Sequence, residues 1–166
     1  IKAKVFDNLE FKKYKSLILR NSGSDFCSSH FRDVFMTSLV RDLNIETQAY
    51  RSCVVYLNGE YWGIYHLREK LNEHYLQQHF EVDKDSVAIL KHRGDVQEFG
   101  RMNYKSLIRF IERTDFSKNE NIDSLSKLMD IDNYLDYNIA QVYFNNIDAG
   151  GNIRYWRSRR KGSKWR

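Results

Sequence analysis

The residues whose types and spacing could support chemistry lie near the end of the chain, in the stretch NNIDAGGNIRYWR, residues 145–157. Asp148 is followed four positions later by Asn152, and Gly150 and Gly151 stand between them. A carboxylate can accept the proton of an attacking hydroxyl, and carboxylate and carboxamide oxygens are ligands that Mg²⁺ accepts beside nucleotide phosphates. The spacing therefore indicates either a phosphoryl-transfer loop or a glycine turn without chemistry.

A long amphipathic helix, predicted over residues 131–146, would position that loop. Its apolar residues recur at the helical period, and Asp130 stands where an N-cap belongs. We expect the apolar face to be buried and its polar member, Asn138, to hydrogen-bond to a buried group. The face consists of Ile131, Tyr134, Leu135, Asn138, Ile139, Val142 and Tyr143.

The first half of the chain predicts strands around one helix. A strand over 14–20 is followed by a turn-rich loop and a helix that Ser28 or Ser29 could cap. Two further strands, 50–57 and 61–67, flank Asn58-Gly59, the pair that favours a type I′ hairpin turn.

The second half is mostly helical. A helix should begin near Leu71, and the remaining elements follow in order: a strand at 87–91, helices at 104–114 and 122–129, the long helix, and a strand at 153–158 that turns back through 160–163. The chain is therefore predicted to be α+β.

Composition narrows the class of protein. The chain has 166 residues, 42% of them hydrophobic, which is typical of an ordered globular domain. It contains no run of about 20 apolar residues, so no transmembrane segment is expected. The net charge of +5 comes from residues 157–166, which hold six of the 27 basic residues and no acid. A nucleic-acid site is one interpretation, but the strand-turn-strand pattern favours a solvated hairpin, and no nucleic-acid partner is predicted. Cys27 and Cys53 are free thiols or one disulfide.

Several motifs together resemble the CotH family, the spore coat protein H-like atypical secreted protein kinases. They are LRNSGSD at 19–25, FRD at 31–33, VYLNGEYWGIYHLREK at 55–70, YFNNID at 143–148 and NIRYWR at 152–157. The resemblance runs from about residue 14 to the last residue.

The resemblance implies a protein-kinase-like fold, in which a small antiparallel β lobe with one helix packs against a mainly helical lobe. Residues 1–70 would form the first lobe and 71–166 the second, together one partial domain over 1–166 that is truncated at both ends. It further implies an enzyme that binds ATP with Mg²⁺ and phosphorylates serine on serine-rich surface or coat proteins. The expected location is extracytoplasmic: secreted, at the cell surface or in a spore coat.

The same resemblance assigns roles to individual residues. Asp148 would be the catalytic base and, with Asn152, a metal ligand. Arg20 would contact phosphate and Asp33 would pair with a cation, although the two could equally form a structural ion pair. Glu69 and Lys70 would lie at the adenine-binding hinge, with ordinary solvated charges as the alternative.

The resemblance also implies segments on either side of this chain: a lysine-bearing loop before it and a second metal-binding carboxylate after it. The chain alone is therefore expected to be inactive, and the parent protein to be the enzyme. The alternative function is a non-catalytic surface or coat-assembly module that binds protein or carbohydrate through Tyr61, Trp62 and Tyr65. Strand alternation predicts that half of these aromatic residues face the core. The sequence specifies no oligomeric state.

Overall fold

A computed structural model describes residues 1–91, 98–148 and 152–166. The chain is α+β, as predicted, and divides into two compact units, Ile1–His79 (unit 1) and Phe80–Arg166 (unit 2). The elements in chain order are β1 (Leu17–Arg20), α1 (Arg32–Leu39), β2 (Tyr50–Leu57), β3 (Glu60–Glu69), α2 (Glu73–Phe80), β4 (Val87–Lys91), α3 (Glu98–Arg113), α4 (Asn119–Ser126), α5 (Ile131–Tyr143) and β5 (Arg154–Ser158).

Unit 1 is built on a three-stranded antiparallel sheet in the order β1-β3-β2. The predicted hairpin is confirmed: Leu57 pairs with Glu60, so Asn58 and Gly59 alone form the loop. Both loop residues have positive φ, 52° and 86°, as a type I′ turn requires. The hairpin therefore forms where local turn chemistry and strand propensity agree.

The two faces of this sheet differ in chemistry. Ser52 pairs with His66, and His66 pairs with Arg20, so these three residues stand on one face. The opposite face carries Leu17 and Leu67, which pack against the core of unit 1. That core consists of Val5, Phe6, Tyr14 and Ala49. Strand alternation thus places the core against one face of the sheet and these three polar residues on the other, the polar face, which also carries apolar residues such as Ile64.

Unit 2 holds the antiparallel pair β4 and β5. Leu90 is fully buried in a core with Ala88, Leu107 and Trp165. After β5 the chain turns back, as predicted. The backbones of Trp156 and Arg166 exchange hydrogen bonds of 2.9 and 3.0 Å, so the last residues lie beside β5. No helix in the part of the chain that the structure describes is long and apolar enough to span a bilayer.

Helix α5 differs from the prediction in what it buries. Asp130 is its N-cap, as expected, and accepts a hydrogen bond from the Asn133 backbone at 3.1 Å. The prediction of a buried apolar face is wrong, because Val142 is 81% exposed and the helix buries Asn133 and Ala140 instead. The hydrophobic period identifies an apolar face, but it does not identify the neighbour that would cover it.

The predictions for Asn138 and for the length of this helix are also wrong. Asn138 is exposed, and its Nδ2 donates to the Tyr134 carbonyl at 2.7 Å, one turn back in the same helix. A polar side chain on an exposed helix face finds its acceptor locally and needs no buried partner. The helix ends at Tyr143, before the predicted residue 146.

Candidate functional site

The structure brings Asp148 and Asn152 together in unit 2. Asn152 Nδ2 donates to Asp148 Oδ2 at 3.2 Å, and both residues are exposed. Gly150 and Gly151, with residue 149, lie outside the described residues. The two side chains with the predicted chemistry are therefore within hydrogen-bonding distance of one another and open to a ligand.

Flanking elements hold both ends of this loop. Asn146 Nδ2 donates to Gln141 Oε1 at 2.6 Å, which ties the start of the loop to α5. The Asp148 backbone N–H donates in turn to Asn146 Oδ1 at 3.2 Å. On the far side β5 begins at Arg154 and pairs with β4. The loop thus connects a helix end to a paired strand.

This pair can contribute two oxygens to a cation. Asn152 directs its amide nitrogen toward Asp148, so a shared cation would require the side-chain amide to rotate and present Oδ1. Mg²⁺ takes about six oxygen ligands, and the others would be phosphate oxygens and water. Among the described residues no group of three or more His, Cys, Asp or Glu is arranged to hold a metal. Asp148 and Asn152 would therefore supply at most two of these ligands.

Arg20 and Asp33 meet in unit 1. Arg20 Nη1 lies 2.6 Å from Asp33 Oδ2, and both side chains are close to half exposed. Arg68 Nη1 also donates to Asp33 Oδ2, although Arg68 is only 2% exposed. Sequence reasoning missed Arg68, because it interpreted the charged residues after Leu67 as the end of the strand. Arg68 lies two residues after His66 in the same strand, so strand alternation would have placed both side chains on the polar face of the sheet.

Two histidines extend the network on the polar face of the sheet. His66 is 5% exposed, and its Nε2 lies 3.0 Å from the His30 carbonyl oxygen, so Nε2 carries the proton that is donated. Its Nδ1 lies 3.2 Å from Ser52 Oγ. His30 Nε2 in turn lies 3.0 Å from the Ile64 carbonyl. These contacts join the segment before α1 to the sheet.

The predicted serine cap of α1 is wrong: the N-cap residue is Phe31, whose side chain makes no capping hydrogen bond, and Asp25 instead binds the first backbone N–H of the helix. The buried Asp25 carboxylate accepts from the Arg32 backbone N–H at 2.9 Å and from Ser29 Oγ at 2.7 Å. The Ser29 hydroxyl, followed by the Arg32 backbone N–H, holds the pKa of Asp25 below its ordinary value. The acceptor comes from outside the helix, because a turn carries the chain back over Asp25.

Replacing Asp25 with Asn tests this cap through its pH dependence. A carboxyl group whose pKa is lowered in the folded state stabilises the fold above the ordinary Asp value, about 3.9, and the effect is lost as pH falls through the folded pKa. At pH 7 we expect Asp25→Asn to have the lower Tm, and the two proteins to converge in acid. Thermal unfolding from pH 7 to 2.5 measures this. The exposed control Asp7→Asn should have the Tm of wild type at every pH. If the Tm of Asp25→Asn differs from that of wild type by the same amount at every pH, the Asp25 carboxylate does not stabilise the start of α1.

Glu69 is buried, and Lys70 is exposed. Glu69 is 3% exposed; its Oε1 lies 2.8 Å from His79 Nε2, and its Oε2 accepts from the Ala49 backbone N–H at 3.0 Å. The alternative of a solvated charge is therefore wrong for Glu69. Its carboxylate also acts on Tyr14, whose pKa is raised by burial first and by Glu69 second. The adenine-hinge role of Glu69 and Lys70 stays a prediction.

The aromatic residues of the hairpin are more exposed than alternation predicts. Tyr61 and its neighbour Trp62 are 61% and 60% exposed, and Trp62 Nε1 donates to Tyr65 Oη at 3.0 Å. The expectation that half of these side chains face the core is wrong at this end of the hairpin. β1 pairs only with His66–Glu69 of β3, so the outer half of the hairpin extends past that strand.

Some of the basic residues near the end of the chain make hydrogen bonds and ion pairs with other residues of unit 2. Arg157 Nη1 donates to Asn103 Oδ1, and Arg166 pairs with Asp130. Burial lowers the pKa of Arg157 from its ordinary value. Cys27 and Cys53 are both free thiols, the first exposed and the second half-buried.

The CotH kinase protein family matches residues 2–166, essentially the whole chain. No curated protein and no solved structure matches the chain significantly.

Proposed function

Because this chain belongs to the CotH kinase protein family, we propose that it forms part of an atypical protein kinase domain. In the protein that contains it, this domain transfers phosphate from ATP, with Mg²⁺, to serine on a secreted, cell-surface or spore-coat protein. The observation that supports this most directly is the pairing of exposed Asp148 with Asn152 at 3.2 Å. In protein kinases an acidic group of one loop accepts the proton of the attacking hydroxyl, and a carboxamide of the same loop holds Mg²⁺.

Asp148 serves as the base in this proposal. The serine hydroxyl attacks the γ-phosphorus, its proton passes to Asp148 Oδ1, and the bond to the β-phosphate oxygen breaks to release ADP. Asp148 and Asn152, whose side chains already face each other, are also the residues that would hold Mg²⁺. When bound, Mg²⁺ neutralises charge on the phosphates.

Arg20 contacts the nucleotide phosphates in this proposal, since its guanidinium is close to half exposed on the polar sheet face. In the absence of nucleotide, that guanidinium lies 2.6 Å from Asp33 Oδ2. Glu69 and Lys70 lie where β3 leads into α2, the place that the proposal gives to the adenine hinge. Bound through side chains of this kind, ATP would raise the stability of the domain by mass action.

Transfer of label from γ-labelled ATP tests the proposal. We expect the longer protein that contains this chain to label itself or a serine-rich protein in the presence of Mg²⁺, and EDTA to abolish the label. A complete domain that neither labels protein nor gains Tm with Mg²⁺–ATP would refute it.

The exposed hairpin aromatics favour a second candidate function. Tyr61 and Trp62 are each more than half exposed, and Tyr56 beside them is 64% exposed. Aromatic faces of this kind stack on sugar rings or on protein side chains. A non-catalytic module would gain Tm with saccharide but not with Mg²⁺–ATP, and Trp62→Ala would remove that gain.

A further inference from the structure

The carboxylate of Asp33 is shared by two arginines that differ in burial. Arg68 is 2% exposed, whereas the side chain of Arg20 is 45% exposed. The Nη1 atoms of both contact the same oxygen, Oδ2. Arginine stays protonated in proteins, so two positive charges meet one negative charge. Asp33 can therefore neutralise only one of the two guanidiniums.

Burial decides which of them depends on Asp33. A guanidinium that is removed from water without a counter-ion is strongly destabilising, whereas an exposed one is hydrated. Arg68 already has a buried Nε without a hydrogen-bond partner, and among the described residues Asp33 is the carboxylate that its side chain contacts. The exposed contact of Arg20 with Asp33 contributes little by comparison.

The other carboxylate at this place is also engaged. Asp25 accepts from Ser29 and from the Arg32 backbone, and its Oδ1 lies 3.3 Å from Arg32 Nη2. Arg20, Asp25, Arg32, Asp33 and Arg68 all line one depression in unit 1, together with His30 and His66. If the Asp25 carboxylate neutralises Arg32 and the Asp33 carboxylate neutralises Arg68, the positive charge of Arg20 is not neutralised by either of them.

We propose that Arg68 is the structural ion-pair partner of Asp33, and that Arg20 is an exchangeable cation held beside this pair for a phosphate oxyanion. The inference rests on the proposed function for its ligand, the polyphosphate of a nucleotide. On binding, the Arg20 guanidinium donates to the anion in place of Asp33, and Arg68 keeps the Asp33 carboxylate in position. Arg68 is thus a positioning residue.

Double-mutant cycles on the 166-residue chain test the ion-pair assignment. We expect Arg20→Gln to change Tm by less than about 2 °C, like the surface control Arg41→Gln. Arg68→Gln should lower Tm by about 6 °C or more. The double variant Arg68→Gln/Asp33→Asn should lose much less Tm than the sum of the losses of the two single variants. Equal losses for Arg20→Gln and Arg68→Gln, or coupling of Asp33 to Arg20 alone, would overturn the assignment.

Titration with inorganic tripolyphosphate in the absence of Mg²⁺ tests the exchangeable cation. Calorimetry should detect binding to wild type that Arg20→Gln weakens at least about tenfold, the factor expected for one charge-assisted hydrogen bond. Arg20→Lys should recover part of the affinity, and Arg41→Gln should retain it. This arm uses exposed residues, so it stands even if Arg68→Gln does not fold.

The two proposals fail separately. Tripolyphosphate that does not bind, or that binds Arg20→Gln as tightly as wild type, overturns the inference, whether or not the longer protein transfers phosphate. If binding requires Arg20 but the complete domain neither labels protein nor gains Tm with Mg²⁺–ATP, the inference is supported and the kinase proposal is refuted.

Discussion

Replacing Asp148 with Asn in the longer protein should lower the rate of phosphate transfer by roughly 10²–10⁴-fold, the usual contribution of a general base. The substitution preserves size and can still contact Asn152, which lies 3.2 Å away, but an amide does not accept the serine proton. Because the new carboxamide can still offer an oxygen to Mg²⁺ and the other ATP contacts remain, we expect KM for ATP to change much less than kcat. Steady-state transfer of labelled phosphate, with ATP varied, measures both constants.

A matched substitution separates this loss from a loss of folding. Asp123→Asn removes another exposed carboxylate from the same unit, in α4, and should leave kcat within about twofold, as expected for a surface change. Both variants should keep the Tm of wild type. An unchanged kcat for Asp148→Asn would remove Asp148 from the role of base.

Replacing Leu90 with Ala should lower the free energy of unfolding of unit 2 by about 2–5 kcal/mol. Leu90 is 0% exposed and packs in one core with Leu107 and Trp165, so truncation leaves a cavity in addition to the lost apolar burial. The same strand position pairs with Tyr155 of β5, the strand that follows Asn152. We therefore expect the variant to hold the candidate catalytic loop less firmly.

Urea unfolding of the chain measures this change, with the next residue on the strand as control. Lys91 is exposed, so Lys91→Ala should alter stability by no more than about 0.5 kcal/mol. If Leu90→Ala unfolds at the urea concentration of wild type, Leu90 does not belong to the core of unit 2.

Contacts between residues close in the chain were predictable from sequence. Asn58-Gly59 specified the hairpin, because two positive φ values are a local requirement. Asp130 capped α5 for the same reason, since its bond reaches only to Asn133. The proximity of Asp148 and Asn152 was also predicted from sequence, because their spacing and the two glycines between them indicated a tight loop.

Contacts between distant residues were not predictable in this way. The ion pair of Arg68 with Asp33 joins residues 35 positions apart in the chain. The hydrogen bond from the Ala49 backbone to Glu69 joins residues 20 positions apart. Charged residues at the end of a strand look solvated in a sequence, because nothing local shows that a helix or a neighbouring strand will cover them. Burial therefore has to be read from the packed structure.

The sequence by itself determined the α+β class, the hairpin, the polar loop after α5 and the family. Each depends on turn chemistry, periodicity or motifs within short windows of chain. Only the tertiary structure decided that α5 exposes its apolar face, and that Asp33 serves a buried arginine as well as an exposed one. The reason is that burial and charge neutralisation depend on which surfaces meet in space, and chain order specifies this weakly.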